Sequence, residues 1–125
     1  MFAVENAYDG EFKVTNVAWD SRLLNSDSEM FKNMAAKLEV ALYELFTNSR
    51  LRDEADFNIR VTSFASGSVV VKFRISYMPK NDPDFKVSRD ALMRQFAKEL
   101  NLDDFRLANV YDVRDSSLNL KCKYF

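Results

Sequence analysis

Two hydrophobic periods divide the chain. From Phe31, apolar residues recur at Met34, Ala35, Leu38, Ala41, Leu42, Leu45 and Phe46, with Lys32, Lys37, Glu39 and Glu44 between them. This is the 3.6-residue repeat of an amphipathic helix, and it predicts one ending near Asn48. Upstream, Ser26 and Glu29 have the spacing of a capping box, which predicts the helix start there. Elsewhere the period is two. Phe57, Ile59 and Val61 alternate with Asn58, Arg60 and Thr62. Val69, Val71, Phe73, Ile75 and Tyr77 alternate with Lys72, Arg74 and Ser76. Each run predicts a strand with one buried face, and Phe64-Ala65-Ser66-Gly67-Ser68 between them is long enough to close a hairpin. An earlier strand is predicted over Glu11–Asp20. Its apolar parity changes between Phe12/Val14 and Val17/Trp19, which predicts a bulge near Thr15 and Asn16. Met78 to Lys86 holds both prolines and reads as a loop. Ser88 caps a second helix with Val87 and Leu92 in staple positions and a weaker stripe of Ala91, Leu92, Gln95, Phe96 and Leu100. Leu107 to Val113 reads as the last strand.

The resulting order, β-α-β-β-α-β, predicts an α+β fold: a ferredoxin-like sandwich with an antiparallel sheet and both helices on one face. The 125 residues fit a single domain, with a core over about 8–115 and an extension at 116–125 toward a following module. Composition narrows the chemistry. There is no histidine, so Ser-His-Asp and Cys-His catalysis and histidine-ligated metal sites are excluded within the chain. One cysteine, Cys122, allows no internal disulfide; it reads as a buried small residue or, since it lies after the last predicted strand, as a residue that in a secreted parent pairs with a following module. Lys plus Arg is 18 and Asp plus Glu is 19, a net charge of −1 that argues against a strongly basic nucleic-acid module while leaving room for a local patch. No apolar run reaches the length of a membrane span, and the first residues lack the pattern of a signal peptide. No Asn-x-Ser/Thr sequon occurs.

Gly67 and Ser68 stand where the two central strands meet. On the residues alone they read as turn chemistry, glycine supplying a positive φ and serine a polar turn position. The stretch Phe64-Ala65-Ser66-Gly67-Ser68-Val69-Val70-Val71, however, resembles the self-cleavage segment of SEA domains. These are extracellular modules of membrane mucins, type II transmembrane serine proteases, adhesion receptors and proteoglycans. Three more segments resemble the family in order: Tyr8-Asp9-Gly10-Glu11-Phe12-Lys13-Val14 its opening strand, Leu24-Asn25-Ser26-Asp27-Ser28-Glu29-Met30-Phe31 its helix entry, and Leu45-Phe46-Thr47-Asn48-Ser49-Arg50-Leu51 its helix exit. The missing sequon departs from the frequent glycosylation of the family.

The resemblance implies cleavage between Gly67, as scissile carbonyl, and Ser68, as nucleophile, driven by strain through an N-to-O acyl shift. No cofactor or metal is implied, and the activity is a single turnover on the chain itself, without a conventional catalytic site. The resemblance further implies that fragments 1–67 and 68–125 stay associated, that the other partners are neighbouring modules of a parent protein, and that the location is extracellular, at the cell surface. The nearest alternative is a SEA module that stays whole as a spacer or adhesion unit. A more distant one is an RNA-recognition-type domain, which shares the element order. Its third strand should carry aromatic platforms, where this chain has valines. The carboxylates at Asp53-Glu54, Asp103-Asp104 and Asp82/Asp84 read as solvated loops. A calcium role for Asp82, Asp84 and Asp90 stays open, though their spacing does not match the EF-hand loop. Arg50-Leu51-Arg52 and Lys121-Cys122-Lys123 read as surface charge.

Overall fold

The computed structural model describes residues 6–47, 51–99, 104–107 and 111–122. β1 (Asn6–Val14) leads through a 3-10 turn (Ser21–Leu24) into α1 (Glu29–Thr47). A short helix α2 (Leu51–Glu54) precedes β2 (Ala55–Ser66) and β3 (Val69–Pro79). α3 (Arg89–Glu99), β4 (Asp104–Leu107) and β5 (Tyr111–Cys122) follow. The five strands form one antiparallel sheet in the order β2-β3-β1-β5-β4. α1 lies on β2, α3 touches β5, and the two helices touch each other, which puts both on one face of the sheet. This is the expected α+β sandwich.

The apolar periods place the core. The stripe Phe31, Met34, Ala35, Leu38, Leu42 and Phe46 of α1 is buried, as are Phe57, Ile59 and Val61 of β2 and Val69, Val71, Phe73, Ile75 and Tyr77 of β3. Each such side chain removed from water stabilises the fold by about 1.5–3 kcal/mol. Gly10 sits on the same face of β1, opposite Phe73 and Leu120 in the two neighbouring strands. A Cβ on Gly10 would lie 2.4 Å from Cζ of Phe73 and 2.7 Å from Cδ2 of Leu120. The missing side chain is therefore space that the Phe73 ring occupies. α3 is seated by polar contacts to the sheet. The Tyr8 hydroxyl donates to the Val87 carbonyl, the Val87 N–H donates to the Tyr77 hydroxyl at 2.9 Å, and Arg89 Nε donates to the Leu120 carbonyl at 2.7 Å. Ser88 caps the helix as expected, its Oγ accepting from Ala91 N–H at 3.1 Å, and the staple residues Val87 and Leu92 are buried.

Several expectations need correction. β1 runs over Asn6–Val14 rather than 11–20, and its irregularity lies between Glu11 and Lys13, where the pairing with β5 shifts. Val17 and Trp19 pack against the core from the irregular segment that follows. The cap of α1 is Ser28, whose Oγ accepts from Phe31 N–H at 3.1 Å. Ser26 cannot take that role, because the helix begins at Glu29. The last strand is two strands, and β5 extends through Cys122, paired with Tyr8. Residues 116–122, read as an extension, therefore complete the sheet against β1. Asn48, Ser49, Arg50, Leu100, Asp103 and Lys123 lie outside the described residues, and so does the side chain of Phe96.

Candidate functional site

β2 and β3 meet at a two-residue turn. Ser66 pairs with Val69, so only Gly67 and Ser68 remain unpaired. The five-residue connection expected from the sequence is shorter because both strands extend into it. Gly67 has φ 107° and Ser68 φ 53°. Positive φ at both central residues is the requirement of the type I′ turns that match the twist of antiparallel strands. Glycine meets it at no steric cost, and nothing lies within 4 Å of where a Gly67 Cβ would be. Serine does not. Among the described residues Ser68 is the one non-glycine residue with positive φ, a conformation costing an L-residue about 1–2 kcal/mol. Gly67 and Ser68 are both exposed, so water reaches the bond between them.

The turn is held from both strands. On the β3 side Val69 and Val71 are fully buried, and β3 is flanked by β2 and β1. On the β2 side the pairing shifts between Val61 and Ser63, so that Phe64 rather than Ser63 faces the core. The Phe64 ring meets Phe31 at the start of α1 edge to face, with centroids 5.0 Å apart. Beside the shift, Glu39 of α1 accepts the N–H of Val61 at 2.9 Å. A one-residue slip of β2 would turn Phe57, Ile59 and Val61 to solvent and break these contacts, so the turn cannot relax by changing register. Sequence reasoning found Gly67 and Ser68 but not Phe64, Phe31 or Glu39. The change of apolar parity between Val61 and Phe64 was the available signal for the first.

The other candidate groups are occupied elsewhere. Asp82 closes its own turn, its carboxylate accepting from Asp84 N–H at 2.9 Å and its carbonyl from Phe85 N–H at 3.0 Å. Asp53 and Glu54 are exposed in α2, and Asp90 is exposed in the first turn of α3. An apolar cleft of about 430 Å³ beside α1, lined in part by Leu23, Met30, Met34 and Tyr111, shares no residue with the turn. On the outer face of the sheet β1 presents Asp9, Glu11 and Lys13, and β3 presents Val70, Lys72, Arg74, Ser76 and Met78. These are the strands on which an RNA-recognition domain displays rings.

The family model of the SEA domain matches residues 6–101. The chain belongs to the SEA family. The match includes β1, α1, the β2–β3 hairpin with Gly67 and Ser68, and α3. SEA domains occur in the extracellular regions of larger proteins. No curated protein matches the chain. No helix among the described residues is long and apolar enough to cross a membrane.

Proposed function

We propose that this SEA module cleaves itself once between Gly67 and Ser68 and then persists as two interleaved fragments in the extracellular part of a larger protein. The observation that carries the proposal is Ser68 held at φ 53° as half of a two-residue turn whose register is fixed on both sides. Ser68 Oγ attacks the Gly67 carbonyl carbon through a five-membered ring of Gly67 C, Ser68 N, Cα, Cβ and Oγ. The C–O bond forms, the C–N bond breaks and the hydroxyl proton ends on the Ser68 amine. Water then hydrolyses the ester, returning the Ser68 hydroxyl and leaving the Gly67 carboxylate. No imidazole is needed, in keeping with a chain that has no histidine.

A 10⁵-fold acceleration corresponds to about 7 kcal/mol. The left-handed φ of Ser68 supplies about 1–2 kcal/mol of it. The remaining ~5 kcal/mol is assigned to a twisted Gly67–Ser68 amide. Because about 12° of ω distortion costs ~1 kcal/mol and the cost grows quadratically, a twist of about 27° suffices.

The topology supports continued association. Fragment 1–67 contributes β1 and β2, and fragment 68–125 contributes β3, β4 and β5. In the order β2-β3-β1-β5 the strands alternate between fragments, so separation must break three ladders. Purified protein should convert, without added protease, into bands ending at Gly67 and beginning at Ser68 that co-elute natively and separate in denaturant. Ser68→Ala should stay a single folded chain. Wild-type protein that remains whole for days at neutral pH would leave the spacer role. Equal cutting of Ser68→Ala would assign the cut to a contaminating protease.

A further inference from the structure

The helix-free face of the sheet divides the molecule's charge unevenly. Cross-strand partners share a face, so the register fixes which side chains lie together. Arg60, Arg74, Asp9 and Lys121 form one row across β2, β3, β1 and β5. Ser63, Lys72, Glu11 and Asn119 form the next, and Ala65, Val70, Lys13, Arg114 and Asp104 the third. Of the chain's 18 basic and 19 acidic residues, six basic and three acidic lie in these rows. The net charge of −1 therefore divides into +3 over these rows and −4 over the rest of the chain. Asp9 is engaged by Arg74, Nε to Oδ1 at 2.9 Å. At the ends of the face Asp56 lies 3.6 Å from Lys80, and Asp112 is in register with Arg106. Lys13, Arg60, Lys72, Arg114 and Lys121 are exposed, and Lys72, Arg74 and Lys121, with Asp9 and Glu11, line a shallow depression of about 250 Å³.

We propose that this face is a docking surface for a linear sulfated polysaccharide. Strands lie about 4.8 Å apart and alternate residues of a strand about 6.8 Å apart. The six cations thus spread over an area of about 15 by 14 Å, matched by a flexible anionic chain lying across the strands. Charge complementarity selects a polyanion, and the composition of the face selects its class. The rows hold charged, amide and small side chains without a ring for a nucleobase to stack on, whereas single-stranded nucleic-acid sites combine cations with aromatic platforms. Membrane-surface binders pair their cations with an inserted apolar face, whereas the apolar side chains in these rows are Val70 and Ala65, both half-buried. A sulfated sugar chain needs cations and hydrogen-bond donors only. The inference stands on the charge register and does not depend on cleavage at Gly67.

The test is binding of a size-defined heparin oligosaccharide to the 125-residue chain, followed by fluorescence anisotropy over a salt series. Binding should persist at 150 mM salt, with log K falling linearly as log salt rises. Lys72→Glu with Lys121→Glu should weaken it at least tenfold. Lys72→Gln with Lys121→Gln should lower the slope by about 1.5–2, because each cation removed takes away roughly one released counterion. Lys32→Glu with Lys37→Glu, exposed on α1 and equal in charge change to the first pair, should leave binding nearly unchanged. No retention of wild-type protein at 150 mM salt overturns the proposal, and so does equal weakening by the α1 pair, which would make net charge the cause. Equal or tighter binding of single-stranded RNA, or of vesicles of phosphatidylcholine and phosphatidylserine, overturns the choice of a glycan.

Discussion

Strain at the turn can be measured apart from cleavage by comparing Ser68→Ala with Ser68→Gly. Both lack the hydroxyl that the proposed shift requires, so both should remain one chain. They differ by one Cβ at a residue with φ 53°. Retaining that Cβ costs Ala about 1–2 kcal/mol in the left-handed region. Glycine is penalised in turn by its greater freedom in the unfolded chain, roughly 0.4–1 kcal/mol. The difference leaves Ser68→Gly more stable by about 1 kcal/mol. At about 2.1 cal/mol/K of unfolding entropy per residue, a domain of 125 residues should gain about 4 °C in Tm. Urea unfolding followed by Trp19 fluorescence gives the same quantity at 25 °C. Ser66 is the internal control. It lies in β2 without positive φ, so Ser66→Ala should exceed Ser66→Gly by about 0.5–1 kcal/mol, the opposite sign. If alanine equals or exceeds glycine at position 68, Ser68 is not held left-handed in solution. The strain argument then loses its one direct structural support.

Two further outcomes follow from the packing and the charges. In a Ser68→Ala background, Gly10→Ala should cost about 1–3 kcal/mol in urea unfolding, since its Cβ would enter the space of the Phe73 ring; a variant as stable as its parent would mean that the ring moves aside freely. Hydrogen bonds from the Arg22 guanidinium and backbone N–H hold the Asp20 carboxyl down at about 2. A depressed folded-state value means that this contribution is present above the ordinary carboxylate range and is lost as pH falls from about 4 to about 2. Asp20→Asn should therefore flatten the acid limb of Tm against pH in that window, and an unchanged limb would show the pair to be without effect on stability.

Helical and strand periods were legible where one side of an element faces the core without interruption. The stripe of α1 and the alternation of β3 are of this kind, and Ser88 was legible as a cap because it stands alone before its helix. The start of α1 was not. Asn25, Ser26, Asp27 and Ser28 are four cap-forming residues in a row, and the choice falls to Ser28, whose hydroxyl donates to the Arg22 carbonyl at 2.7 Å while it caps. β5 was hidden by its own irregularity. Arg114 pairs with Lys13 and Asn119 with Glu11, so four residues on β5 answer the single Phe12 on β1, and no alternation survives across Asp115-Ser116-Ser117. Gly10 gave the opposite difficulty. A glycine in a polar-looking stretch hid a buried strand position whose occupant is the ring of a residue 63 places away. Gly67 and Ser68 were legible as a pair because strand patterns bound them on both sides. The contacts that clamp their strands, Phe31 to Phe64 and Glu39 to Val61, join residues of separate elements and carry no local pattern.

On the proposed mechanism, the same ladders set the strain and hold the fragments. A two-residue turn is under tension only while the strands on either side cannot slide. Here β2 is fixed by Phe64 and by Glu39, and β3 by its position between β2 and β1. On the proposed mechanism, cutting the turn removes the tension and leaves those restraints in place. Val69, Val71, Phe73 and Ile75 remain buried among strands of the other fragment. The free energy released at the turn thus strengthens the complex, because the cut complex keeps the packing and loses the left-handed serine. A sheet with β2 and β3 side by side at one edge, both outside the β1 ladder, would strain the turn equally and then shed the hairpin's halves. Strain-driven cleavage and durable association are compatible here because β1, from the first fragment, lies between β3 and β5 of the second.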